Sequence, residues 1–267
     1  MKHIHIVGCS PRSGTSLLQE LMVNCFYIDD YCSHEQSIFR SLKLSGSLVC
    51  TKNPREVPYA KGILTINPDL YVLYVSRDPR NVITSKHGKS GDLYYSALYV
   101  WNEYEEFKEK LQNHPRFIIV KYEDIVNNPD LLQKQLMEKL HVLKFKHKFS
   151  EFHLHASPSG STTDALNGLR PITNSGLDKW KQHLPRIKAQ IKAYGNISKK
   201  LIDLGYEKNN KWEDLLDGVP LGETISEIDS NFNSAYTAKM KYRIFRKLFV
   251  YLIQIKAQKL FKNISKQ

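Results

Sequence analysis

A short apolar run, His3-Ile-His-Ile-Val7, leads into Gly8-Cys-Ser-Pro-Arg-Ser-Gly-Thr-Ser16, and a helical segment starts at Thr15. A strand that feeds a glycine-containing polar loop and then a helix turns backbone N–H groups and a helix N-terminus toward one point, where an anion is favoured. Gly8 and Gly14 let the backbone turn sharply and come close to a ligand. Arg12 adds a fixed positive charge, and Ser13, Thr15 and Ser16 add hydroxyls. The segment Thr15–Cys25 carries Leu17, Leu18, Leu21 and Met22 at helical spacing.

The alternation continues through the first half of the chain. His3–Gly8, Leu48–Lys52, Leu70–Ser76 and Arg116–Lys121 are short runs rich in Val, Ile, Leu, Tyr or Phe and read as strands. Between them the pattern predicts helices at Thr15–Cys25, Arg55–Ile66, Pro79–His87, Tyr94–Leu111 and Pro129–Leu140, with Pro79 and Pro129 suited to a first turn. The expected fold class is α/β, a central parallel sheet flanked by helices on both faces, with ligands outside the carboxyl ends of the strands. The second half is less regular. Ala156–Asn174 reads as a long polar loop, helices follow at Leu177–His183 and Pro185–Leu204, Asp217–Ser234 looks like a linker, and Tyr242–Phe261 is a basic, aromatic helix. The expected organisation is a main domain over 1–210, a linker or peripheral segment over 211–238, and a basic amphipathic C-terminal helix over 239–267.

At 267 residues, with 41% hydrophobic and 25% charged residues, the chain has the balance of a globular protein with a sizeable core. The net charge of +12 would suggest a nucleic acid or an anionic membrane as partner. Its distribution argues against nucleic acid, because nine cations lie in the acid-free stretch after Asp229: Lys239, Lys241, Arg243, Arg246, Lys247, Lys256, Lys259, Lys262 and Lys266. Cys9, Cys25, Cys32 and Cys50 form no C-x-x-C pair and read as small buried hydrophobes. No run approaches the roughly 20 apolar residues of a membrane-spanning helix, and the start of the chain reads as a strand rather than a signal peptide.

The loop is not a Walker A motif. Gly14 is followed by Thr15, so the Lys that reaches a nucleoside triphosphate is missing. A second anion-binding constellation is Val75-Ser-Arg-Asp-Pro-Arg-Asn-Val-Ile-Thr-Ser85. Arg77 stands at a strand end and Ser85 follows eight residues later, expected two turns into a helix, so that both reach one phosphate. An Arg77–Asp78 surface pair is the plainer alternative.

Pro11-Arg-Ser-Gly-Thr-Ser-Leu-Leu18 resembles the 5′-phosphosulfate loop of sulfotransferases that use 3′-phosphoadenosine 5′-phosphosulfate (PAPS), with Ser16 in place of the usual second Thr. The resemblance extends to Arg77 and Ser85, which match the family's 3′-phosphate pair, to Val120-Lys-Tyr-Glu-Asp-Ile125, and to Arg170-Pro-Ile-Thr-Asn-Ser-Gly-Leu-Asp-Lys-Trp180. It implies a P-loop-containing nucleotide hydrolase-like fold over roughly residues 3–205. It also implies PAPS contacts from Pro11, Arg12, Ser13, Gly14, Thr15, Ser16, Arg77, Ser85, Tyr122, Arg170 and Ser175, with no metal required. Trp180 reads as a packing residue.

Sulfuryl transfer needs a base for the acceptor hydroxyl and cations for the departing charge. Arg12 and Lys52 are the candidate cations. Lys52-Asn-Pro54 resembles the Lys-x-Pro run of carbohydrate and tyrosylprotein sulfotransferases. Glu35 is the favoured base, with His34 as competitor, although Ser33 and Gln36 also form an S-x-x-Q capping box in which Glu35 is an ordinary first-turn acid. His5 reads as a core residue, and His87 as a weaker neighbour of the cleft.

The expected activity is transfer of the sulfuryl group of PAPS to a hydroxyl of a carbohydrate or glycolipid, releasing adenosine 3′,5′-bisphosphate. The rivals are a P-loop kinase or NTPase and a non-catalytic binding protein of the same fold. The tail suits either a helix lying on an anionic membrane or one packed on the domain or on another subunit. The expected location is cytoplasmic, at the inner face of the membrane if the tail meets lipid.

Overall fold

The computed structural model describes residues 1–39, 46–86, 92–166, 168–231 and 236–264. Among them, β1 (Lys2–Gly8), β2 (Asp30–Tyr31), β3 (Leu48–Lys52), β4 (Leu70–Ser76) and β5 (Phe117–Lys121) form one sheet in the order β2-β3-β1-β4-β5. Every pairing is parallel, with His5 opposite both Thr51 and Val72, and Gly8 opposite Val75. From β1 the chain runs to the edge strand β2 and back to β3 on one side, and then to β4 and β5 on the other. The carboxyl end of β1 is therefore the point where the order reverses and a crevice opens.

The strands are buried on both faces, which is why they read as nearly continuous apolar runs. Ile4, Ile6, Leu73, Val75, Ile118 and Val120 face one layer. That layer holds α1 (Thr15–Cys25), α5 (Tyr122–Asn127) and α6 (Pro129–Lys139), with α7 (Phe152–His155) beyond. Val7, Val72, Tyr74 and Phe117 face the other. There the cover is α2 (Ala60–Ile66), α3 (Pro79–Ile83), α4 (Leu98–Glu109), α9 (Leu184–Tyr194) and α10 (Ser198–Asp203). Two elements complete the fold: α8 (Gly160–Leu166), which packs against α1, and the long C-terminal α11 (Tyr236–Ile264). Among the described residues no helix is long and apolar enough to cross a membrane.

Several elements differ from the sequence expectation. The helix expected over Arg55–Ile66 begins with a 3-10 turn at Val57–Tyr59, because Pro58 fits a helix start. The helix expected at Pro79–His87 ends at Ile83, so Ser85 lies beyond it, and His87 falls outside the described residues. The helix expected at Tyr94–Leu111 is α4, shorter at both ends, since Lys86 and Tyr94 pair in an isolated bridge first. The loop expected over Ala156–Asn174 contains α8. Leu177–His183 is a 3-10 turn, Lys179–His183. Pro185–Leu204 is two helices, broken where Gly195 takes φ +97°, a left-handed conformation that ends a helix. No helix begins at Ser33: the Gln36 amide donates to the Lys52 carbonyl instead, 2.9 Å away.

The stretch that reads as a linker is strapped to the body. Arg186, 1% exposed, donates to the carbonyls of Glu223 (2.8 Å), Ile225 (3.3 Å), Ser96 (3.0 Å) and Ile83 (3.3 Å) and to the Ser226 hydroxyl (2.5 Å). Burial pulls its pKa down to about 10, with Tyr94 the largest opposing influence. The α11 helix docks along one face. Tyr251 is buried and its hydroxyl accepts from Asn67 Nδ2 at 3.0 Å. Leu248 lies so close to α2 that a Cβ on Gly62 would sit 2.3 Å from it. Replacing Arg186 by Leu leaves several buried carbonyls without a donor. The expected result is a loss of about 3 kcal/mol in denaturant unfolding, with new protease cleavage inside 217–226 of the folded protein.

Candidate functional site

The first strand delivers the chain at Gly8 to the centre of the sheet's carboxyl edge. Gly8 cannot carry a side chain, because a Cβ there would sit 2.1 Å from the Ser13 hydroxyl. The loop then turns through two left-handed residues, Arg12 at φ 73° and Gly14 at φ 100°. A non-glycine residue in this region is uncommon and is held there only by its surroundings. The holding contact is plain: Arg77 Nη1 donates to the Arg12 carbonyl at 2.8 Å. Gly14 leaves room for the Tyr122 ring, which a Cβ would meet at 2.3 Å. The Arg77 guanidinium lies 4.0 Å over that same ring. Three strand ends, those of β1, β4 and β5, are locked together through these contacts.

The side chains expected to bind an anion converge here. Arg12 Nε donates to Ser85 Oγ at 3.1 Å, so Ser85 reaches the loop although it stands past the end of α3. Lys52, 3% exposed at the end of β3, donates to Ser16 Oγ at 2.8 Å. Among the described residues neither Arg12 nor Arg77 forms an ion pair: Asp78 pairs with Arg80 at 2.7 Å, and not with Arg77. Burial lowers the Arg12 pKa, and the neighbouring Arg77 charge lowers it further. Burial also lowers the Lys52 pKa, opposed chiefly by Glu35. Two polar atoms of this cluster, Ser13 Oγ and Arg77 Nε, are buried with no hydrogen-bond partner among the described residues. Partly buried cations without counter-charges, beside partnerless donors, form a place that an anion completes.

Glu35 is exposed and belongs to the segment tied to the end of β3 by the Gln36 amide, which brings its charge to bear on Lys52. His34, beside it, is also exposed. The segment is fixed from below by Glu56, which accepts the Ser37 hydroxyl at 2.5 Å and the Ile38 amide at 2.8 Å. Burial alone would raise Glu56, but His5 and these two donors outweigh it and hold the carboxyl below its usual range. From the far side, the Ser159 and Thr162 hydroxyls donate to the Ser33 carbonyl at 3.3 and 3.2 Å. Arg170 and Ser175 are exposed, and the Ser175 hydroxyl pairs with Thr173 at 3.1 Å. No contact joins either to the loop among the described residues. Pro11 and Thr15 are buried within it. Trp180 packs, as expected, with the Arg80 guanidinium 4.0 Å over its ring.

Sequence reasoning missed three neighbours. Glu123 accepts the Asp78 amide at 3.1 Å, leaves its other oxygen buried and partnerless, and is pushed up by burial. Ser96 bonds the Ser10 hydroxyl behind the loop. Tyr95 accepts from Arg55 at 2.5 Å and lies close enough to Arg12 to act on its charge. Glu123 stood in the Tyr-Glu-Asp run already singled out; nothing in the sequence marked Ser96 or Tyr95.

Residues 25–145 match a family model described as the sulfotransferase family. The match takes in Glu35, Lys52, Arg77, Ser85 and Tyr122 and begins after the Gly8–Ser16 loop. No curated protein matches the chain. Among solved structures, the sulfotransferase domain from the curacin biosynthetic pathway is 16% identical, with TM-score 0.46, over 68% of this chain and 91% of that one. The sulfotransferase domain of the Synechococcus PCC 7002 olefin synthase is 17% identical, with TM-score 0.43, over 67% and 87%. Retinol dehydratase, solved with androsterone and the inactive cofactor PAP, is 13% identical, with TM-score 0.35, over 84% and 83%. These three likenesses are too loose to carry an argument about substrate.

Anion binding at this cluster is expected to fall as pH rises and Lys52 loses its proton, with burial setting that limb below the ordinary lysine range. Sulfate titrations followed by thermal shift, from neutral to alkaline pH, are expected to show the limb in the wild type and its displacement to higher pH in Lys52→Arg. An identical limb in the two proteins would remove Lys52 from the anion site.

Proposed function

We propose that this chain, whose residues 25–145 match the sulfotransferase family model, takes the sulfuryl group of PAPS and passes it to a hydroxyl of a carbohydrate or glycolipid. The observation that carries the reading is the cation cluster of partly buried Arg12 and Arg77 and buried Lys52 around partnerless Ser13 Oγ and Arg77 Nε. That donor set fits a ligand with two separate anionic groups and no metal. The Pro11–Ser16 loop with Lys52 would hold the 5′-phosphosulfate, and Arg77 with Ser85 the 3′-phosphate. Tyr122 would border the nucleotide, with Arg170 and Ser175 on its outer side.

PAPS supplies an activated sulfuryl group: its S–O bond to the 5′-phosphate breaks as a new S–O bond to the acceptor oxygen forms. Glu35 would take the proton of the acceptor hydroxyl at its carboxylate, and His34 is the alternative acceptor of that proton. Lys52, Arg12 and the amides at the start of α1 would meet the negative charge that gathers on the departing phosphate. Their positions are set before any ligand arrives, so no reorganisation is needed when the charge develops.

Two observations support a polyhydroxylated acceptor. The segment bearing Glu35 is open to solvent, and Tyr31 nearby is 49% exposed. The Tyr95–Arg55 pair adds an aromatic and hydrogen-bonding wall near Arg12. The test is transfer of radiolabelled sulfate from PAPS to a panel of carbohydrates and glycolipids. Glu35→Gln is expected to lower kcat by about 10²- to 10⁴-fold with little change in affinity for adenosine 3′,5′-bisphosphate. Full turnover in Glu35→Gln would move the base to another group. Absence of transfer to every acceptor by a protein that binds the bisphosphate would refute the acceptor class.

A further inference from the structure

The α11 helix is apolar on two opposite faces, and the body of the protein uses only one. Leu248, Tyr251 and Ile255 pack against the core, and Ile244 lines the groove beside the helix. Tyr242 (69% exposed), Phe245 (69%), Phe249 (55%) and Ile253 (52%) recur every three or four residues and form a stripe on the outer side. The Phe245 and Phe249 rings lie nearly parallel, 6.5 Å apart. Arg246 and Lys256 are exposed along the same stripe, and Arg243 is exposed on its flank. Tyr236–Ile264 contains no acidic residue. Beside the helix runs an apolar groove of about 510 Å³ lined by Val57, Ile66, Phe107, Leu111, Ile244 and Leu248, with exposed Lys61 and Lys110 alongside.

We propose that the outer face of α11 and the adjoining groove dock on an anionic lipid bilayer, with the aromatic stripe at the level of the headgroups. An aromatic stripe flanked only by cations has the chemistry of an interfacial helix, and each cation adds attraction to anionic headgroups. The groove extends the same pairing of an apolar floor with a cationic rim. A second copy of this chain is a poorer occupant. A two-fold contact sets the same patch against itself, and here that brings Arg243, Arg246 and Lys256 against their own like charges with no carboxylate on the helix to compensate. The helix lies on the surface and does not cross it, consistent with its cationic outer face.

Flotation of the full chain with vesicles of phosphatidylcholine alone, or mixed with phosphatidylglycerol, tests this. Binding is expected only to the anionic vesicles and should weaken as salt rises. Arg243→Ala/Arg246→Ala should weaken it about thirtyfold, and Phe245→Ser/Phe249→Ser at least about tenfold. These residues are exposed, so thermal melts should stay at the wild-type value and separate lost binding from lost folding. Equal binding to the two vesicle types, no binding to either, or unchanged binding in both variants would overturn the proposal. So would a solution dimer that Phe245→Ser/Phe249→Ser dissociates. The readout needs neither donor nor acceptor, so it stands or falls apart from the sulfuryl-transfer reading.

Discussion

The hydrogen bond from Arg77 to the Arg12 carbonyl is the contact on which the site depends. It holds a non-glycine residue in a left-handed conformation, and that conformation gives the loop its concave run of amides. The same guanidinium rests on Tyr122, whose ring occupies the space that Gly14 leaves free. Arg77, Tyr122 and Gly14 therefore pack against one another as one unit. The arrangement also concentrates positive charge: Arg77 spends its hydrogen bond on a neutral carbonyl, so the loop gains rigidity without losing charge to a carboxylate.

A second buried network fixes the other wall. His3 and His5 share the Thr51 hydroxyl at 2.7 Å each, and His5 Nε2 lies 3.2 Å from Glu56. Glu56 then grips the segment after Glu35 through Ser37 and Ile38. The polar residues of the first strand thus belong to the core and still bear on the cleft, because the carboxylate they orient positions the loop that carries the candidate base. Buried and bonded through Thr51, Ser37 and Ile38, such a network rigidifies what it touches.

Where the sequence was legible, a strong local signal agreed with tertiary structure. The runs Leu48–Lys52 and Leu70–Ser76 and the helix Thr15–Cys25 match the structure residue for residue, since the two strands are apolar runs between turn residues and the helix couples an apolar period to Ser13-Gly14 at its start. The two-residue β2 was illegible because it has too few residues to show a period. The α8 helix hid in Gly, Ser and Thr, and it forms where tertiary contacts with α1 and Ser33 hold it. Ser85 was expected beside Arg77, two turns into a helix; the helix stops at Ile83, and the chain beyond it brings the Ser85 hydroxyl to Arg12 without helical spacing. Arg186 gave no signal at all, because its five partners are all distant in sequence except through the fold.

The most direct test of the account is calorimetric titration with adenosine 3′,5′-bisphosphate, beside AMP and ATP–Mg²⁺, on the wild type and on Arg77→Ala. The account predicts tight binding of the bisphosphate, weak binding of AMP, and loss of the difference between them in Arg77→Ala. A preference for ATP–Mg²⁺, or a bisphosphate affinity that Arg77→Ala leaves intact, would contradict it.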